Sequence, residues 1–202
     1  MKRFCSFLIK PYFQFSLSRT IVFSFFAAGL FACRPAPPST SAQDHPAHLP
    51  QLLPAAVRPV APGFSLTDAH GKLVTLSGYR GKVVLLDFWA TWCGGCKLEI
   101  PWYIEFDKKY RDQGLAAIGV SMDDDGWKAV TPFLAKKTDT ETGGNIAMQY
   151  PVVIGNPQMA KMYNLTSMPM TLLIDRQGKI ALSYAGVVNK NDFESDIQQL
   201  LN

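Results

Sequence analysis

Histidine is scarce in this chain, and cysteine is nearly so. The 202 residues include three histidines, His45, His48 and His70, and four cysteines, Cys5, Cys33, Cys93 and Cys96. A structural zinc site needs four Cys or His ligands at suitable spacing. The histidines have no such spacing and two of the cysteines lie at the far N-terminus, which excludes zinc at Cys93 and Cys96. Charge of one sign is also missing where it would matter. The formal net charge is +4, but Lys2, Arg3, Lys10 and Arg19 all precede Cys33, and no acidic residue does. Beyond Cys33 the remaining sixteen basic residues equal the sixteen acidic ones. A neutral remainder offers no basic field to nucleic acid or anionic lipid. The apolar run from Ile21 to Ala32 is too short for a typical membrane-spanning helix. Asp123-Asp124-Asp125 lacks the spaced ligands and distal Glu of a calcium loop. Its acids are expected to cap a helix that begins near Gly126. No internal repeat is present.

What is there begins with a leader. A basic start followed by the apolar run makes residues 1–33 an export signal. It ends in Leu30-Phe31-Ala32-Cys33, which resembles a bacterial lipobox whose cysteine is lipidated. Leu30 and Ala32 fit that pattern, and Phe31 is bulkier than usual. Ordinary cleavage and an uncleaved signal anchor stay open beside lipidation at Cys33. All three put the rest of the chain outside the cytoplasm. Residues 34–60 are rich in Pro, Ala, Ser and Gln and read as an extended tether, with His45 and His48 as solvated linker residues. The folded domain is expected over 61–202.

Within it, Phe64 to Leu66 and Leu73 to Leu76 read as a hairpin, with His70 in the turn. Leu115 to Ser121, Tyr150 to Ile154, Met170 to Asp175 and Ile180 to Ala185 read as strands. Helices are expected from Cys96 to about Gln113, from Gly126 to about Lys137, over Asn156 to Tyr163 and over Asp192 to Leu201. Pro101 should kink the first of these and Gly114 should stop it. Thr138 to Gln149 is polar and irregular and reads as a surface loop. Strands alternating with helices indicate an α/β sandwich.

The chain is organised around Val83 to Cys96. Val83-Val84-Leu85-Leu86-Asp87-Phe88 is an apolar run of strand length, suited to burial on both faces of a sheet. It turns and delivers Cys93-Gly94-Gly95-Cys96 at the start of a helical segment. Two intervening residues bring the sulfurs within bonding distance on the first helical turn. The helix N-terminus favours a thiolate on Cys93, and Cys96 is placed to resolve a mixed disulfide. Lys97 adds a nearby positive charge. As a structural staple so short a loop restrains the unfolded chain little. Two adjacent glycines and a flanking Trp argue against inert core thiols. A redox pair is the reading that remains.

Asp87 to Lys97 resembles the active-site segment of thioredoxin-fold proteins, most of all the TlpA/ResA-type extracytoplasmic thiol–disulfide oxidoreductases. The resemblance runs from about Ala61 to the C-terminus. It implies a thioredoxin-like α/β fold: a central mixed sheet flanked by helices, with an N-terminal β-hairpin extension. One departure is the Gly-Gly dipeptide, where the family usually has proline before the second cysteine. That dipeptide influences redox poise, so the resemblance leaves the reduction potential open.

Other site residues follow from the resemblance. Asp87 matches the buried acid of thioredoxins, which assists proton transfer at the second cysteine. A lone carboxylate in an apolar strand is costly unless hydrogen-bonded or neutralised, so a structural acid is the alternative. Glu99 matches an acidic position of ResA-like proteins, and either tunes thiol pKa or is an exposed helix acid. Trp92 is expected on the contact surface and Trp89 in the packing. Ser167-Met168-Pro169-Met170-Thr171 resembles the cis-proline loop, with Pro169 cis and Met168 contacting substrate.

The function so implied is dithiol–disulfide exchange on exported proteins, most simply as a reductase, with no metal or organic cofactor. Electrons would come from a membrane thiol–disulfide donor, and apocytochrome c segments would be among the substrates. Two other readings compete. A peroxiredoxin-like peroxidase needs Pro-x-x-x-Thr/Ser-x-x-Cys, but Leu86 and Ala90 stand at those positions before Cys93. A tethered binding module with vestigial cysteines is opposed by intact Cys93, Cys96, Asp87 and Pro169.

Overall fold

Val83–Trp89 forms strand β3, buried at every residue, as its run of Val and Leu requires. The computed structural model describes residues 51–138 and 143–202. The leader, Cys33, His45 and His48 lie outside them. Strands β1 (Ser65–Thr67) and β2 (Leu73–Thr75) pair as the hairpin. Helix α1 (Gly94–Tyr110) follows β3 and continues through Pro101. A short 3-10 turn then ends at Gly114, whose φ of 102° suits glycine far better than any other residue. Next come β4 (Leu115–Ser121), α2 (Trp127–Leu134), β5 (Val152–Ile154) and α3 (Pro157–Met162). Strands β6 (Met170–Ile174) and β7 (Ile180–Ala185) and helix α4 (Lys190–Leu201) close the chain.

The main sheet has the order β5-β4-β3-β6-β7. Strands β3, β4 and β5 are parallel, and β6 and β7 are antiparallel. Side chains alternate across β3. Val84, Leu86 and Phe88 pack with Met159 and Tyr163 of the α3 region and with Val74 of the hairpin. Val83 and Leu85 pack with Tyr103 and Phe106 of α1 and with Phe193 and Ile197 of α4. Asp87 lies between Leu85 and Trp89 in this alternation, and so faces α1.

Both edges of the sheet are covered, which removes a template for strand addition. On one side Asp68 of the hairpin turn bridges Val153. On the other, the chain before the hairpin lies along β7. Leu53 N donates to Ala181 O at 2.8 Å, and Ile180 N donates to Pro59 O at 2.8 Å. Arg58 pairs with Asp175 at 3.1 Å. Docked chain therefore includes Leu53 to Val60, inside the stretch whose composition reads as tether. Composition alone does not reveal a segment held chiefly by backbone bonds.

Two further expectations need correction. Helix α2 ends at Leu134 rather than near Lys137, because Lys136 N turns back to Phe133 O in a tighter bond. The stretch read as a surface loop carries Ile146, which is fully buried against Trp89, Cys96 and Ile100. Among the described residues no helix is long and apolar enough to cross a membrane.

Candidate active site

Strand β3 ends where the motif begins, so the sheet holds the cysteines at its C-terminal edge. Cys93 is the N-cap of α1, and Cys96 N donates to its Sγ at 3.2 Å. The two residues form a disulfide with Cα atoms 5.3 Å apart. Cys93 is 6% exposed and Cys96 only 1%. When the bridge opens, Cys93 keeps the helix N-terminus and its unpaired N–H groups, which stabilise an anion there. Lys97 is buried beside the motif.

Trp92 is 67% exposed next to Cys93, whereas Trp89 is buried against Phe133, with ring centroids 5.1 Å apart. A groove of about 410 Å³ is lined by Trp92, Met122, Leu165, Thr166, Ser167 and Met168, none of them charged. The Met168–Pro169 bond at its end is cis. A Cβ at Gly95 would come within 3.1 Å of Pro169 Cδ and 2.9 Å of Val187 Cγ2. Glycine at this position lets the proline loop close onto the motif. A larger cavity, about 700 Å³, lies between the hairpin turn and the end of α2 and contains neither cysteine in its lining.

Two acids on the elements that flank the motif are buried, Asp87 on β3 and Glu99 on α1. Asp87 is 1% exposed, and neither carboxylate oxygen has a full hydrogen bond. Burial pushes its pKa well above the usual carboxylate range, and the neighbouring charge of Glu99 adds to this. Thr171 stands opposite on β6. Its hydroxyl is engaged with Tyr103 Oη at 2.8 Å and offers Asp87 only a small downward pull.

Glu99 is not an exposed helix acid. It sits one turn beyond Cys96 on the face of α1 that also carries Ile100 and Tyr103, all fully buried. Its Oε1 accepts from Val188 N at 2.7 Å, while Oε2 has no full hydrogen bond. Burial raises its pKa to about 7, against the opposing pull of the Val188 N–H and the Tyr103 hydroxyl. A carboxyl whose folded pKa is raised binds more protons folded than unfolded. Its contribution to stability is therefore full below pH 4.5, declines as pH rises to about 7, and stays low above that. Glu99→Gln keeps an acceptor for Val188 N but removes the ionisation. The variant should be the more stable form above pH 7, by up to roughly 3 kcal/mol. Denaturant unfolding of both proteins from pH 4 to 9 checks this. Parallel stability curves would remove ionisation from the account of Glu99.

Sequence reasoning missed Asp123. Read as a helix cap, it is instead buried at 6% exposure, and α2 begins at Trp127 with Gly126 as its N-cap and no side-chain cap bond. Asp123 Oδ2 accepts from Thr91 N at 3.0 Å, and Oδ1 accepts from Thr91 Oγ1 at 2.6 Å. The available signal was position: an acid just beyond β4, at the same sheet end as the motif.

Comparison with known proteins identifies the family. Residues 57–183 match the AhpC/TSA family. The thiol–disulfide oxidoreductase ResA of Geobacillus kaustophilus is 34% identical over 146 residues, which cover 72% of this chain and 78% of that one. ResA of Bacillus subtilis is 31% identical over 132 residues, covering 65% and 68%. Among solved structures, one assigned as a thiol:disulfide interchange protein DsbE from Chlorobium tepidum superposes with a TM-score of 0.64 at 32% identity. That match covers 72% of this chain and 97% of the other. With a disulfide capping the helix after β3 and these relatives, the chain belongs to the AhpC/TSA family and is a thiol–disulfide oxidoreductase of the ResA type.

Proposed function

We propose that the protein reduces disulfides of exported polypeptides, with Cys93 attacking and Cys96 resolving. The observation that carries this reading is the placement of the two sulfurs. Cys93 is the more exposed and caps the helix, while Cys96 is buried one turn before Glu99, whose charge reaches the buried Asp87. The Cys93 thiolate attacks one sulfur of the substrate disulfide, and the other leaves as a thiolate that takes a proton. Cys96 passes its proton to Asp87 as it attacks the mixed disulfide. The second substrate sulfur leaves Cys93 as a thiolate and takes up a proton, so the substrate departs as a dithiol and Cys93–Cys96 is left oxidised. Two electrons from a membrane thiol–disulfide donor then restore the dithiol. The cycle uses no metal or organic group.

Trp92 and Met168 line the groove in which an extended substrate would lie, and the cis bond to Pro169 follows at its end. Apocytochrome c segments with a Cys-x-x-Cys pair are substrates of the right chemistry. The leader supports a place outside the cytoplasm, with lipid on Cys33. Mass spectrometry of the native N-terminus tests the lipid: an unmodified start beyond Cys33 rules it out.

Insulin-disulfide reduction beside peroxide consumption tests the reaction class. The reduced protein should precipitate insulin B chain and consume peroxide no faster than a free dithiol. Peroxide consumption without insulin reduction would make it a peroxidase. Neither activity would make it a binding module.

A further inference from the structure

The turn from Ala90 to Cys93 carries the attacking sulfur and the exposed Trp92, and it closes with Cys93 N donating to Ala90 O at 3.1 Å. The last rung joining β3 to the chain after β4 is Met122 N to Trp89 O at 2.8 Å. Beyond that rung the two segments part, and a carboxylate takes over. Asp123 accepts three side-chain and backbone donors: Thr91 N at 3.0 Å, Thr91 Oγ1 at 2.6 Å and Ser121 Oγ at 2.8 Å. Ser121 Oγ in turn accepts from Asp123 N at 3.2 Å. Hydrogen bonds to an ionised carboxylate are roughly twice as strong as neutral ones. Two of the three converge on one residue of the turn, Thr91, from both its backbone and its side chain. The neighbour of Asp123, Met122, lines the groove opposite Trp92.

We propose that Asp123 is a positioning residue for the exchange reaction, clamping Thr91 so that Cys93 stays at the helix N-cap and Trp92 stays at the groove. The proposal rests on the reading of Cys93 as the attacking sulfur. Its physical content is that Sγ gains from the helix end only while Cys93 holds its extended N-cap backbone, φ −81° and ψ 106°. A turn free to move lets the sulfur leave the N–H of Cys96, and the thiolate loses a donor. The carboxylate never touches the reacting atoms.

The test is a series in the full chain. Thr91→Val removes the hydroxyl bond and keeps the backbone bond. Thr91→Ser keeps both. Asp123→Asn removes the charge from all three contacts. For each reduced protein two quantities are read: the pH dependence of iodoacetamide alkylation at Cys93, and the rate of insulin reduction. Thr91→Val and Asp123→Asn should raise the apparent Cys93 pKa and slow reduction by roughly tenfold. Thr91→Ser should match wild type in both. If Thr91→Val and Asp123→Asn lower only the melting temperature, leaving the Cys93 titration unchanged, the clamp is structural and the proposal fails. Should wild type reduce no insulin, the functional reading fails while the alkylation titration still decides the clamp. Thr91→Val keeps the test open if Asp123→Asn does not fold.

Discussion

Cys93→Ser is expected to bring disulfide reduction down to the uncatalysed background, because a serine hydroxyl at this helix end is not ionised and cannot attack sulfur. Cys96→Ser should behave differently. Its attack on a substrate disulfide should stay within about tenfold of wild type, while turnover is lost and the substrate remains bound as a mixed disulfide. The asymmetry follows from the fold. Cys93 caps α1 and reaches the surface beside Trp92, whereas Cys96 is 1% exposed. Non-reducing electrophoresis of each variant with a disulfide-bonded peptide separates the cases. A covalent adduct on Cys93→Ser and none on Cys96→Ser would reverse the roles.

Asp87→Asn should leave that first attack intact and slow release of the mixed disulfide by roughly 100-fold, the scale of a lost general base. Asn is nearly isosteric but cannot take the Cys96 proton. The pH dependence carries a second signature. Burial and the Glu99 charge raise the folded pKa of Asp87 well above its unfolded value. Below the unfolded value, near pH 4, the acid is neutral in both states and costs nothing. As pH rises toward the folded pKa, unfolding releases a proton and wild type loses stability. Asp87→Asn removes that loss, so the variant should be equally stable at pH 4 and more stable at pH 8. Single-turnover release from a Cys93-linked peptide, followed against pH in both proteins, gives the decisive comparison. Identical rates and identical pH profiles would return Asp87 to a structural role.

The motif region could be read directly from the sequence because its signals are local. Val83 to Trp89 has the length and composition of a buried strand, and the two cysteines follow it at a fixed spacing. The hairpin, β6 and β7 were legible for the same reason. The surroundings of the site were not. Ile146 reads as one apolar residue in a polar stretch, and only the packed structure puts it against Cys96. Asp123 has the composition of a cap, yet its partner Thr91 lies 32 residues away in sequence. Glu99 was within reach of helical spacing, since it stands three positions after Cys96 on the same face. What spacing could not supply was α4 and the loop bearing Val188, which cover that face and hold Oε1. Long-range partners decide burial, and a single sequence does not name them.

The central claim is that the helix end makes Cys93 the nucleophile. It is tested most directly by reducing the protein, alkylating it with limiting iodoacetamide across pH, and mapping the label by mass spectrometry. The account predicts that Cys93 is labelled first, with an apparent pKa below the ~8.5 of an ordinary thiol, while Cys96 is labelled slowly. Faster labelling of Cys96, or equal labelling of both with ordinary thiol titration, would contradict it.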